Sequence, residues 1–114
     1  MKVINKTRGG NVATKVKVAK SLRERCIGLI GKGKLQPGEG LFITGCGSIH
    51  TFFMRFPIDI IFLDGHNRVV KVAENLRPYR IFLGPLSAKS VLELPLGTIQ
   101  KSGTHIGDEL LFIE

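Results

Sequence analysis

The sequence predicts a mostly β fold of the α+β kind: a compact single-domain β barrel or sandwich over residues 1–114, with one helix near the N-terminus. Three observations carry this. Short apolar runs of strand length recur along the chain, each bounded by turn residues. Fourteen glycines in 114 residues supply many tight turns, which suits short strands better than a helical bundle. Only one long stretch, residues 21–31, carries both a helix-start and a helix-stop signal.

In chain order, Met1 to Thr7 reads as a first strand and Arg8-Gly9-Gly10-Asn11 as its hairpin turn. Val12, Thr14, Val16 and Val18 then alternate with Ala13, Lys15, Lys17 and Ala19, a half-buried strand with lysines on its wet side. Ser21-Leu22-Arg23-Glu24 is a capping box, after which Leu22, Cys26, Leu29 and Ile30 share one helical face and Gly31 ends the helix. Cys26 is thereby a small core residue. Residues 32–40 form a polar loop, Gly40 to Thr44 a short strand, and Gly45-Cys46-Gly47 a turn. The most apolar stretch follows, residues 49–64. Asp64-Gly65-His66-Asn67 turns the chain into a return strand from Arg68 to Ala73. Asn75 to Pro85 is irregular, limited by Pro78 and Pro85. Ser90 to Leu94 is a strand, Gly97 to Gly103 a turn or a single helical turn, and Glu109 to Ile113 a closing strand.

A hydrophobic content of 43% fits an ordinary globule, long enough to bury a core without metal or disulfide staples. No run reaches the roughly 18 apolar residues of a membrane span, and Met1 to Lys6 has no apolar signal core, so the expected location is cytoplasmic. Cys26 and Cys46 are too few for a disulfide framework, and free thiols are expected. The net charge of +8 is regional. Residues 1–36 hold ten Lys or Arg against one acid, Glu24, while the remainder holds seven bases and eight acids. This predicts one positive face.

The apolar stretch carries charges that a plain core strand would lack: His50, Arg55 and Asp59. By parity, Phe52, Met54, Phe56, Ile58, Ile60 and Phe62 share a core face. Thr51, Phe53, Arg55, Pro57, Asp59, Ile61 and Leu63 share a mixed one, with Pro57 marking a break or edge. In a straight strand Arg55 and Asp59 stand roughly 13 Å apart, so they meet only if the chain bends or another strand supplies a partner. Glu93 is the natural candidate, because Leu92 and Leu94 take the face opposite to it. A cluster of Arg55, Asp59 and Glu93 reads either as a structural ion-pair network or as a pocket in which Arg55 holds an anionic or carbonyl group.

The blocks His50-Thr51-Phe52-Phe53-Met54-Arg55 and Pro57-Ile58-Asp59-Ile60-Ile61-Phe62-Leu63-Asp64 resemble the signature of family 192 of the domains of unknown function. Gly28-Leu29 with Glu39-Gly40-Leu41-Phe42 resembles the family's upstream block. Residues 91–98, followed by Gly103 and Gly107-Asp108-Glu109-Leu110, resemble its C-terminal block. The resemblance covers nearly the whole chain. It implies a small, predominantly β domain of bacteria and archaea, with no established reaction and no agreed catalytic residues. This chain departs from many relatives in having Phe53 near the place of a Trp, and only Phe56 between Arg55 and Pro57. Many of them also carry a secretory or lipoprotein N-terminus, which is not expected here.

Specific chemistries find weak purchase. Cys46-x-x-x-His50 lacks further ligands at tetrahedral-site spacing, with His66 and His105 in turns elsewhere, so neither metal nor cofactor is expected. Cys46, His50 and Asp59 can be written as a thiol triad, and Asp59 with Glu93 as a carboxylate pair, but no spacing demands either. The Gly-rich turns match neither a P-loop nor a dinucleotide fingerprint. The expectation is a non-enzymatic ligand- or partner-binding domain whose site is His50, Thr51, Phe53, Arg55, Asp59 and Glu93, taking a small anionic ligand or an acidic protein partner. The alternatives are nucleic-acid binding through Lys15, Lys17, Lys20, Arg23, Lys32 and Lys34, and a small hydrolase or thiol enzyme using Cys46 and His50 or Asp59 and Glu93.

Overall fold

The computed structural model describes residues 1–20, 35–50 and 56–114, with His50 by its backbone alone. Ten strands and one helix are defined there. They are β1 (Lys2–Asn5), β2 (Asn11–Ala13), β3 (Lys15–Ala19), β4 (Glu39–Thr44), β5 (Ser48–His50), β6 (Ile58–Leu63), β7 (Val69–Leu76), β8 (Ile81–Leu83), β9 (Ser90–Pro95), α1 (Thr98–Ser102) and β10 (Leu110–Ile113). The fold is mostly β. A five-stranded sheet runs in the order β3-β4-β9-β6-β7, a three-stranded sheet β10-β1-β2 and a two-stranded sheet β5-β8. These sheets do not close into a barrel. The one helix among the described residues lies near the C-terminus, while the helix expected at residues 21–30 falls outside them.

The central strands β6 and β9 are buried on both faces, which explains why residues 58–63 read as an unbroken apolar run. Ile58, Ile60, Phe62 and Val91 meet Leu41, Ile43 and Ile49 on one face. Phe82 of β8 stacks there on Phe62, with ring centroids 5.8 Å apart. On the other face Ile61, Leu63, Leu92 and Leu94 meet Val3, Val12 and Leu110 of the three-stranded sheet and Ile99 of α1. The big sheet is thus a middle layer. Ile61 and Leu63, expected on a mixed face, belong to a second core.

The alternation expected from Val12 to Ala19 breaks at Thr14. Val12 and Ala13 are both buried in β2, Val16 and Ala19 are buried in β3, and Val18 is exposed. The two short strands belong to different sheets, so one parity does not run through both. Gly38 fixes the junction. Its φ of +87° favours glycine, and an added Cβ would lie 2.8 Å from Thr14 Oγ1. Its carbonyl accepts the amides of Thr14 and Lys15 at 2.8 and 2.9 Å. The strand β3 then runs parallel to β4, the one parallel pair in the central sheet. The stretch expected to be irregular, 75–85, contains the end of β7 and all of β8.

Candidate functional site

Asp59 is completely buried on β6, opposite Leu94 of β9. Its Oδ2 accepts the amides of Gly97 and Ile99, each at 3.0 Å, and its Oδ1 accepts the amide of Asn75 at 3.0 Å. Gly97 occupies the position before α1 with a φ of 91° and has no side chain to cap the helix. A carboxylate 38 residues earlier in the chain does so instead. Asp59 therefore holds three segments together: the end of β7, the turn after β9 and the first turn of α1.

Glu93 is also completely buried, but on the other side of the sheet. It lies opposite Ile60 and Leu41, residues of the face that packs against Phe82. Asp59 shares its side with Ile61 and Leu63. The expected cluster of Asp59 and Glu93 on one face is therefore not formed. Strand alternation separates the two carboxylates across the sheet, whereas a hydrolytic pair needs both in one cleft. Thr51, Phe53 and Arg55 lie outside the described residues, and so do Arg23, Lys32 and Lys34. The backbone of His50 pairs with Ile81 in the two-stranded sheet. Cys46 sits in the turn before β5, with its thiol on the carbonyl of Ser48 at 2.6 Å. Lys15 and Lys17 are exposed on one side of the edge strand β3, and Lys20 is exposed just beyond it. Among the described residues no three His, Cys, Asp or Glu side chains gather as a metal site would require.

Two features escaped the sequence reading. The first is a buried polar network under the β1–β2 turn. Asp108 Oδ2 accepts from Asn5 Nδ2 at 2.9 Å, Arg8 Nε at 2.7 Å and the His105 amide at 2.9 Å. Burial pushes the Asp108 carboxyl up, but the bonds from Asn5, Arg8 and His105 and the charge of Arg8 outweigh it, leaving the group below the usual carboxylate range. Asn5 Oδ1 accepts the amide of Arg8, and its backbone bonds Gly9 and Gly10, so the turn is tied to the core from below. The Arg8-Gly9-Gly10-Asn11 turn was visible in the sequence, but not the contacts beneath it.

The second is a groove of about 700 Å³. One wall is the turn and strand from Gly9 to Thr14, another is Pro37-Gly38, and the third runs from Pro95 to Ser102. No carboxylate lines it, and Lys101 brings one ammonium group. Gly9, Gly10 and Gly97 all have positive φ and open space where a Cβ would stand, so bare peptide edges face the groove there. Asp59 lies behind one wall and the Asp108 network beneath another, each spent on backbone or internal partners.

The family described as Uncharacterized ACR (DUF192) matches residues 3–112. The chain belongs to this family. A UPF0127 protein of Pyrococcus abyssi is 34% identical over 117 residues, covering 97% of this chain and 97% of that one. One from Thermococcus sibiricus is 36% identical over 116 residues, covering 95% of this chain and 72% of that one. A crystal structure from Sinorhizobium meliloti, described as a "putative transcription regulator", superposes with a TM-score of 0.81 at 24% identity, covering 96% of this chain and 89% of that one. Another, a protein of unknown function from Novosphingobium aromaticivorans, gives 0.79 at 22% identity, covering 98% and 84%. At these identities the two structures establish that the DUF192 fold is shared. Among the described residues of this member, no helix is long and apolar enough to cross a membrane.

Proposed function

We propose that this single-domain chain is a non-enzymatic binding domain that takes a small anionic ligand in the groove between the β1–β2 turn, Gly38 and α1. The observation that carries the reading is the groove itself: about 700 Å³, walled by peptide edges and Lys101, with no carboxylate in its lining. An anion meets the Lys101 ammonium there without a competing negative charge in the lining. Both nearby acids support this by their commitments, since Asp59 and Asp108 already accept three hydrogen bonds each. The test is a titration of the isotope-labelled chain with inorganic phosphate and with citrate, followed by amide chemical shifts. Gly9, Gly10, Gly38 and Thr98 are expected to move with a saturable dependence, weakened in Lys101→Ala. Shifts confined to other surfaces, or unchanged by Lys101→Ala, would refute the groove.

A second reading, nucleic-acid binding, is favoured by one observation: Lys15 and Lys17 stand exposed on the same side of the edge strand, with Lys20 close behind. Phosphate contacts of this kind give retention on DNA or RNA that falls steeply with salt. Loss of that retention in Lys15→Ala/Lys17→Ala, with Arg55→Ala unaffected, would select it. The thiol version of the enzymatic alternative rests on Cys46 and His50. Cys46→Ala tests it, because any thiol-dependent turnover must then vanish.

A further inference from the structure

The other unexplained surface lies on the opposite face of the main sheet from α1, at β8. Tyr79, Ile81 and Leu83 are 64–71% exposed, and Leu86 is 101% exposed, as open as a side chain on an extended chain. Within β8, Phe82 turns inward to stack on Phe62, so Ile81 and Leu83 take the outward side. The inward side is buttressed. Lys71 lies over the Phe82 ring at 4.4 Å and donates to the Leu83 carbonyl at 2.8 Å. The outward apolar stripe is therefore presented by a supported strand and not by a loose loop. Tyr79 is held at a φ of 63°, a backbone state that costs a non-glycine residue strain.

The segment that carries the stripe is basic. Residues 75–90 contain Arg77, Arg80 and Lys89 and no Asp or Glu. We propose that this stripe docks on an anionic lipid surface, with Tyr79, Ile81, Leu83 and Leu86 entering the headgroup layer and Arg77, Arg80 and Lys89 meeting lipid phosphates and carboxylates. Three arguments select this occupant. The side chains project: none of the four lines the groove described above, and a fluid lipid layer needs projections where a peptide helix needs a recess. A second copy of the chain stacked on the same stripe would set like charges face to face. A tyrosine flanked by aliphatics and arginines is also the composition that partitions into the boundary between water and hydrocarbon, where its ring is buried and its hydroxyl stays wet.

The experiment is co-sedimentation with vesicles of phosphatidylcholine alone and of phosphatidylcholine containing about 30% phosphatidylserine. The chain is expected to pellet with the anionic vesicles and to be released by salt. Ile81→Ser/Leu83→Ser and Arg77→Gln/Arg80→Gln are each expected to weaken partitioning roughly tenfold, while Lys15→Ala/Lys17→Ala leaves it nearly unchanged. Because the chain has no tryptophan, Leu86→Trp gives a single reporter whose emission should shift to the blue on anionic vesicles. Leu86→Ser, at a fully open position, gives the same reading if the double serine variant loses stability. Failure to pellet with the anionic vesicles overturns the proposal. So does pelleting that depends on Lys15 and Lys17 but not on Ile81 and Leu83, or an unshifted Leu86→Trp emission. A solution dimer dissolved by Ile81→Ser/Leu83→Ser would also overturn it, in favour of self-association. None of these outcomes bears on the groove, which lies on other elements.

Discussion

Removing the Asp59 carboxylate is expected to destabilise the fold in a graded way that reports its geometry. Asp59→Ala leaves the Ile99 amide buried with no acceptor, at about 1–3 kcal/mol, and strips the part-buried Gly97 and Asn75 amides, which turn partly to water. Together with the small void, the loss is about 2–5 kcal/mol, a large fraction of the roughly 5–15 kcal/mol that holds a domain of this size. Asp59→Asn keeps an acceptor for Gly97 and Ile99 on its amide oxygen but points an NH₂ donor at the Asn75 amide. It should cost about 1–2 kcal/mol. Urea unfolding followed by circular dichroism gives the two values, and native-state hydrogen exchange localises them. The amides of Asn75, Gly97 and Ile99 should lose protection ahead of the central strands. An Asp59→Asn variant as stable as the parent, or an Asp59→Ala variant in which those three amides exchange unchanged, would refute the capping role.

Three further outcomes are expected. Asp108 has a carboxyl held below its usual range, so its stabilisation is fully present above the ordinary carboxylate pKa and is lost as pH falls through its lowered folded value. Asp108→Asn should therefore lower urea midpoints at neutral pH, and the difference from the parent should shrink as pH falls through the lowered folded pKa. Gly84→Ala would place a Cβ 2.7 Å from the Phe62 ring, 2.8 Å from the Gly47 carbonyl and 3.0 Å from the Ala88 side chain. The overpacking should cost about 1–3 kcal/mol in denaturant melts. Val16→Ala should cost about 1–3 kcal/mol and Val18→Ala less than about 0.5, since Val16 lies in the core and Val18 does not; equal costs would show that the break at Thr14 is misplaced.

The strands with strong turn signals at both ends were legible. Residues 40–44, 90–94 and 109–113, together with the turn at Asp64, fall within a residue or two of their observed positions, because glycine and aspartate punctuation is local chemistry. The parity of Glu93 against Leu92 and Leu94 was also correct. What parity could not supply was the number of layers. A strand buried on both sides has no wet face, so Ile61 and Leu63 looked like members of a mixed surface while belonging to a second core. The same ambiguity put Asp59 and Glu93 together, although the sheet stands between them. The capping role of Asp59 and the convergence of Asn5 with Asp108 span 38 and 103 residues, and no local pattern announces a contact of that range. The strand at residues 81–83 was hidden by the prolines around it, and among the described residues it pairs with the equally short β5.

The first strand and the last are neighbours. Lys2 lies opposite Ile113 and Asn5 opposite Leu110, so the three-stranded sheet is completed by residues 110–113, which follow every other described strand in the chain. Until they emerge, Val3, Val12 and the outer side of Ile61 and Leu63 have no Leu110 to close over them. The layer that supports the groove is thus the last to be sealed during synthesis, and truncation by a single strand would leave an open apolar flank. The same adjacency sets Lys2 beside Ile113. A short linker could join them and new ends could be cut at the exposed β6–β7 turn, giving a permuted protein that completes this sheet early and the central one late.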